Sequence, residues 1–180
     1  MSNILTHSGD ILDLLAPDKS AIHLQDIALG LSNTCRFSGQ VKPALTVAQH
    51  SILVARLSGE VGSNCYKWGL FHDAPEAYMC DLSSPLKGLL IRYQNIELMV
   101  MNTVADKFEL MGTMPPHVKR QDKLATVSEA AILLDIRKEP VLWEDFPEPI
   151  ENFISIDDLW GAEKAEIEFL KAAKECGYEC

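Results

Sequence analysis

The chain lacks any apolar run of about 18 residues, the length a membrane-spanning helix requires. Its opening stretch, MSNILTHSGD, has neither the basic region nor the long apolar region of a secretory leader, so a cytoplasmic protein is expected. Five cysteines, Cys35, Cys65, Cys80, Cys176 and Cys180, form no Cys-x-x-Cys pair and no regular disulfide framework. They read as reduced, partly buried thiols. Cys176 and Cys180 can share a helical face, but their place at the C-terminus argues against a zinc role. Positive charge is also scarce: 16 Lys and Arg stand against 26 Asp and Glu, a net charge of −10. A nucleic-acid interface needs a basic footprint, and the chain has none. An anionic small molecule must therefore be attracted locally, because the global field repels it.

Present instead is an ordinary globular composition, 47% hydrophobic and 23% charged over 180 residues. That suffices for one domain, residues 1–180, with a buried core. Strand signals are weak, and no alternating stretch is long enough to found a sheet. Helical spacing dominates. Segment 46–61 places Val47, His50, Val54 and Leu57 on one stripe behind Thr46 as N-cap. Segment 64–74 is apolar around Trp68, Leu70 and Phe71. Segment 94–110 repeats the pattern through Ile96, Met99, Val100, Val104 and Phe108. Segment 115–138 opens on Pro115-Pro116, suited to a first helical turn, and continues through Leu124, Val127, Ala131 and Leu134. A last helix over roughly 160–175 ends ahead of Gly177. Proline-rich interruptions fall at 83–87 and 140–149, the second a loop packing Trp143 and Phe146 against the body. The acidic residues from Glu144 to Glu151 read as solvated, and His7, His23 and His117 as incidental. The expectation is an all-α domain, a bundle of six to eight helices.

Four polar residues carry the chemistry: His50, the adjacent pair His72-Asp73, and the distant Asp122. Two imidazoles and two carboxylates suit Mn, Co, Mg or Zn and leave coordination positions for water and a substrate oxygen. Helical bundles build metal sites in this way, from side chains on facing helices. An open divalent cation suits hydrolysis of phosphate esters. His72 and Asp73 diverge by about 100° on a helix, so sharing one ion requires the helix to end near Pro75.

The flanking residues strengthen the pattern. Cys35-Arg36-Phe37, Val47-Ala48-Gln49-His50-Ser51, the block HDAPEAYMCDLSSPLK at 72–87 and Lys119-Arg120-Gln121-Asp122 together resemble the HD-domain phosphohydrolase superfamily. The likeness, over about residues 30–135, is to the branch of bacterial 5′-deoxynucleotidases and phage deoxynucleoside triphosphohydrolases such as dATPases. It implies that His50, His72, Asp73 and Asp122 bind the metal. It further implies that Glu76 assists the attacking water and that Asp81 supports proton transfer to the leaving oxygen. Arg36 would grip phosphate, Phe37 would press on the sugar where those nucleotidases carry Trp, and Lys87 and Lys119 would contact further phosphate oxygens. A homo-oligomer is a further expectation of the resemblance.

Simpler roles stand beside these: an ion pair for Arg36, an N-cap for Asp81, solvation for Lys87 and Lys119, and core packing for Phe37. The implied activity is metal-dependent hydrolysis of the 5′-phosphoester of a deoxynucleotide, in nucleotide-pool control. The substrate would be a dNMP, releasing phosphate, or a dNTP, releasing tripolyphosphate. A nucleotide-sensing module without turnover is the other reading.

Overall fold

Helix starts are set by short polar side chains and prolines. In the computed structural model, which describes residues 2–179, the Thr46 hydroxyl accepts from the Gln49 amide at 3.1 Å and opens α2 (Val47–Ser58). Ser63 does the same for Tyr66 at 3.2 Å and opens α3 (Asn64–Phe71). Pro116 occupies the first turn of α7 (Pro116–Leu133). The remaining helices are α1 (Leu24–Asn33), α4 (Glu76–Met79), α5 (Ser84–Leu89), α6 (Ile91–Lys107) and α8 (Ala162–Glu175). One antiparallel hairpin, β1 (Asn3–Leu5) with β2 (Ile11–Asp13), pairs Ile4 with Leu12. Eight helices and this hairpin among the described residues make the all-α expectation correct. Among the described residues, no helix is long and apolar enough to cross a membrane.

Several boundaries differ from expectation. Helix α1 and the hairpin were not anticipated. Segment 115–138 stops at Leu133, because Leu134 turns extended and residues 136–138 form a 3₁₀ turn ahead of Pro140. Trp143 ends another such turn, its ring 5.2 Å from that of Phe146. Cys35 and Cys80 are exposed rather than partly buried, and Cys180 lies outside the described residues.

Helix α2 is the hub, packed against α1, α3, α7 and α8. Its contact with α3 is backbone to backbone. A Cβ on Gly69 would stand 2.7 Å from the Cα of Ala55. The end of α3 is pinned by Phe71, which is fully buried. It stacks on Phe108 at 4.5 Å and meets Phe169 and Tyr178 edge-on. Burial of such a ring contributes roughly 1.5–3 kcal/mol. That anchor fixes the residue immediately before His72.

Candidate metal centre

After Phe71 the chain leaves α-geometry. The amide of Ala74 bonds to the Phe71 carbonyl at 2.9 Å and that of Glu76 to Asp73 at 2.9 Å, a run of tight three-residue turns ahead of α4. The expected break near Pro75 is therefore present, and it lets His72 and Asp73 face one place. His72 donates Nδ1–H to the Gly69 carbonyl at 2.8 Å. Its Nε2 points to Asp73 Oδ2 at 3.1 Å and Asp122 Oδ1 at 3.7 Å. His50, on α2, turns Nε2 to the same carboxylates, 3.2 Å from Asp122 Oδ1 and 3.7 Å from Asp73 Oδ2. One ligand atom from each of His50, His72 and Asp122 lies within 4.8 Å of the others. This group can hold a metal ion.

The donor set fits a divalent cation on two observations. Both imidazoles are anchored through Nδ1, leaving each Nε2 lone pair for an ion. His72 Nε2 is also buried without a hydrogen-bond partner. A buried nitrogen left unpaired costs about 1–3 kcal/mol, which coordination would offset.

The group that anchors His50 was not expected from the sequence. Glu129, on α7 two turns beyond Asp122, is fully buried and accepts from His50 Nδ1 at 2.8 Å. Its other oxygen lies 3.1 Å from Arg36 Nε, at ion-pair distance. The available signal was a lone Glu at seven-residue spacing from Asp122, flanked by Val127, Ser128 and Ala130. Arg36 completes this layer. It is buried, donates to Thr126 Oγ1 at 2.8 Å and stands 3.7 Å from Asp73 Oδ2. Its guanidinium is thus tied into the protein, the ion-pair role, while the residue still lines the cleft.

That cleft, about 450 Å³, runs beside the cluster. Phe37, Asp81, Lys87 and Lys119 line it. Lys123, Thr126, Asp145 and Phe146 also line it and were not anticipated. Phe37 takes φ 55° and Ser38 φ 51°, consecutive left-handed residues that cost of order 1–3 kcal/mol each and concentrate at ligand sites. The Arg36 guanidinium lies 5.4 Å from the Phe37 ring centre. A larger depression near the end of α7, lined by Leu134, Asp135 and Arg137, holds none of this chemistry.

Glu76 is buried and accepts from Lys87 Nζ at 3.1 Å, and Lys87 also reaches Glu97 on α6 at 2.7 Å. Burial, with the like charges of Asp73 and Asp81, pushes the Glu76 carboxyl up to about 9 against the pull of Lys87 and Arg36. In the metal-free chain burial favours its protonated form. Burial likewise raises Asp81, with Arg36 opposing. Burial opposes charge on Asp73, yet the charge of the His72 imidazole beside it brings its carboxyl to about 2. Asp122 is pulled well below 3.8 against its burial by the hydrogen bond from His50 and the charge of both imidazoles. Burial also opposes charging His50 and His72, but Glu129 and Asp122 override it for His50, as Asp73 and Asp122 do for His72. Both imidazoles therefore titrate above 6.5.

These shifts set the pH profile of the metal-free protein. Asp73 and Asp122 contribute stability that is present above about pH 4 and lost as the pH falls through their lowered values. His50 and His72 contribute stability present below about 6.5 and lost as the pH rises through their raised values. Glu76 keeps its proton when folded but not when unfolded, so stability declines between about 4.5 and about 9. With chelator present, the melting temperature is expected to peak between about pH 4 and 5. A peak at or above neutrality would contradict this charge arrangement.

The two histidines and two aspartates thus cluster beside a cleft of a helical domain. The chain is 36% identical over 129 residues to the uncharacterized protein YfdR of Escherichia coli, across 72% of this chain and 71% of that one. It is 34% identical over 132 residues to the uncharacterized protein RCAP_rcc00048 of Rhodobacter capsulatus, across 69% and 67%. The chain belongs to the family of these two proteins. No protein-family model matches it.

Proposed function

We propose that this chain is an HD-type, divalent-metal-dependent phosphohydrolase cleaving the 5′-phosphoester of deoxynucleotides. The single observation that carries the reading is the convergence of His50, His72 and Asp122 from separate segments, ligand atoms within 4.8 Å, beside a cleft that gathers cations on an acidic chain. A cation held by these residues with Asp73 would polarise a phosphoryl oxygen and acidify a water. Glu76, with one carboxylate oxygen buried and unpartnered, receives the water's proton once ionised, which added positive charge nearby favours. As the bond from phosphorus to the sugar oxygen breaks, Asp81 returns a proton to that oxygen. Lys87 holds Glu76 in position, and Arg36 stiffens the wall nearest Asp73.

One observation favours the sensing reading: in the metal-free chain Glu76 is buried and already engaged by Lys87 at 3.1 Å. The two readings part on a panel of NMPs, dNMPs, NTPs and dNTPs with Mn²⁺, Co²⁺ and Mg²⁺, phosphate and tripolyphosphate being assayed separately. Turnover is expected that chelator abolishes without unfolding the protein, and Glu76→Ala is expected to lower kcat by about 100-fold or more. Nucleotide binding without turnover would establish the sensor.

A further inference from the structure

We propose that residues 135–149 form a lid hinged on the end of α7, whose Phe146 closes on the base of a bound nucleotide. The inference rests on the phosphohydrolase reading and adds a moving part to its cleft.

The segment leaves and rejoins the body at one place. The Leu134 amide donates to the Ala130 carbonyl at 2.8 Å, and the Ile150 amide to the Ser128 hydroxyl at 2.9 Å. Both roots therefore stand on the last turns of α7, the closed ends of an Ω-loop. Between them the hydrogen bonds are local, joining residues two or three apart, with one exception among the described residues. Lys123 Nζ donates to the Asp145 carbonyl at 3.4 Å, long for a hydrogen bond. The same ammonium stands 5.5 Å from the centre of the Phe146 ring, a weak contact at an exposed site. None of residues 135–149 is buried, and Val141 and Leu142 are 69% and 72% exposed. A segment that buries so little apolar surface opens at small cost while α7 stays folded.

Room for the movement lies at its base. A depression of about 630 Å³ is bordered by the last turn of α7, by residues 134–137 and by Pro149, so it touches both roots. At the far end Asp145 and Phe146 line the cleft beside the ligand cluster, and the Trp143 ring braces Phe146 at 5.2 Å. A ligand holds a lid shut only through contacts made in the closed state. Phe146 is suited to supply one. The cations of the cleft match phosphate, whereas a base offers a flat π face to an aromatic ring. Phe37 and Phe146 are the two aromatic side chains of the lining, one beside Arg36 on the body and one on the loop. Closure also excludes water from the cluster, which strengthens every electrostatic contact inside.

The test is hydrogen exchange read by mass spectrometry on the full chain, in the Glu76→Ala variant so that bound nucleotide persists. Without ligand, the amides of 135–149 are expected to exchange far faster than those of α2. Mn²⁺ with the tightest-binding nucleotide of the panel above is expected to slow them about tenfold or more, and Mn²⁺ alone much less. Calorimetry in the same background supplies a second readout. Phe146→Ala is expected to weaken that nucleotide about tenfold while leaving deoxyribose 5-phosphate, which has no base, nearly unchanged. Phe146→Tyr keeps the ring and is expected to bind like its parent. Phe146 lies outside the buried core, so circular dichroism should show the fold intact in both variants. Exchange at 135–149 that ignores the nucleotide overturns the lid, even if the wild type hydrolyses it. Equal losses on both ligands, or no loss, overturn the contact to the base. Slowed exchange and a base-dependent loss, with no turnover by the wild type, support the lid and sink the enzyme reading alone. If no nucleotide of the panel binds, the lid and that reading fall together.

Discussion

Replacing Glu129 with alanine is expected to cost the fold about 3–5 kcal/mol, because it leaves a buried guanidinium and a buried imidazole without their anion. Glu129 is fully buried, and its two oxygens serve His50 Nδ1 at 2.8 Å and Arg36 Nε at 3.1 Å. Glu129→Gln isolates the effect on the metal. The amide keeps the volume and an oxygen that can accept from His50, but loses the charge that raises the basicity of the imidazole. Metal affinity is expected to fall about 10–100-fold, the usual consequence of altering the group behind a ligating histidine. Urea unfolding in chelator measures the first effect, and Mn²⁺ calorimetry measures the second. If Glu129→Gln binds Mn²⁺ like the wild type, His50 is not oriented by Glu129.

Gly69→Ala is expected to damage fold and site together. A Cβ there would lie 2.7 Å from the Cα and 2.9 Å from the amide nitrogen of Ala55, both backbone atoms of α2. No side-chain rotation relieves that contact, so α3 must move off α2. Overpacking of this kind costs roughly 1–3 kcal/mol. Alanine's better helix propensity returns about 1 kcal/mol at most. The displacement also carries His72, whose ring centre is 5.3 Å from that of His50 and whose Nδ1 is held by the Gly69 carbonyl itself. A lower melting temperature together with weaker Mn²⁺ binding is the expected pair of results. Ala55→Gly should not rescue it, since the clash is with the main chain. Wild-type stability and affinity in Gly69→Ala would show that the close approach of α2 and α3 does not set the ligand spacing.

Helix α2 was legible because two local signals agree, Thr46 as cap and the apolar stripe through Val47 and Val54, but it ends at Ser58 ahead of Gly59 and so falls short of the expected residue 61. Helix α7 announced its start through Pro115-Pro116 but not its end, since nothing at Leu133 distinguishes it from the residues before. Helix α1 went unread although Ile27 and Leu31 are fully buried. It begins after His23, whose side chain makes no capping bond, so the usual polar start signal is missing. The ligand residues could be picked out by type and spacing. The carboxylate behind His50 and the lysine at 123 that meets Phe146 could not, because a lone Glu or Lys on a helix carries no mark of what faces it.

Composition and periodicity alone thus determined a helical domain, its acidic net charge, and the residue types suited to a divalent ion. Tertiary structure decided which charges are spent and which remain free. Arg36 is consumed by Glu129 and Lys87 by Glu76 and Glu97, while Lys119 and Lys123 stay open to the cleft. The physical reason is that helix periodicity encodes which face is buried. Pairing between charges on different helices depends on how α2, α3 and α7 approach one another, and that approach is set by packing at contacts such as Gly69 on Ala55.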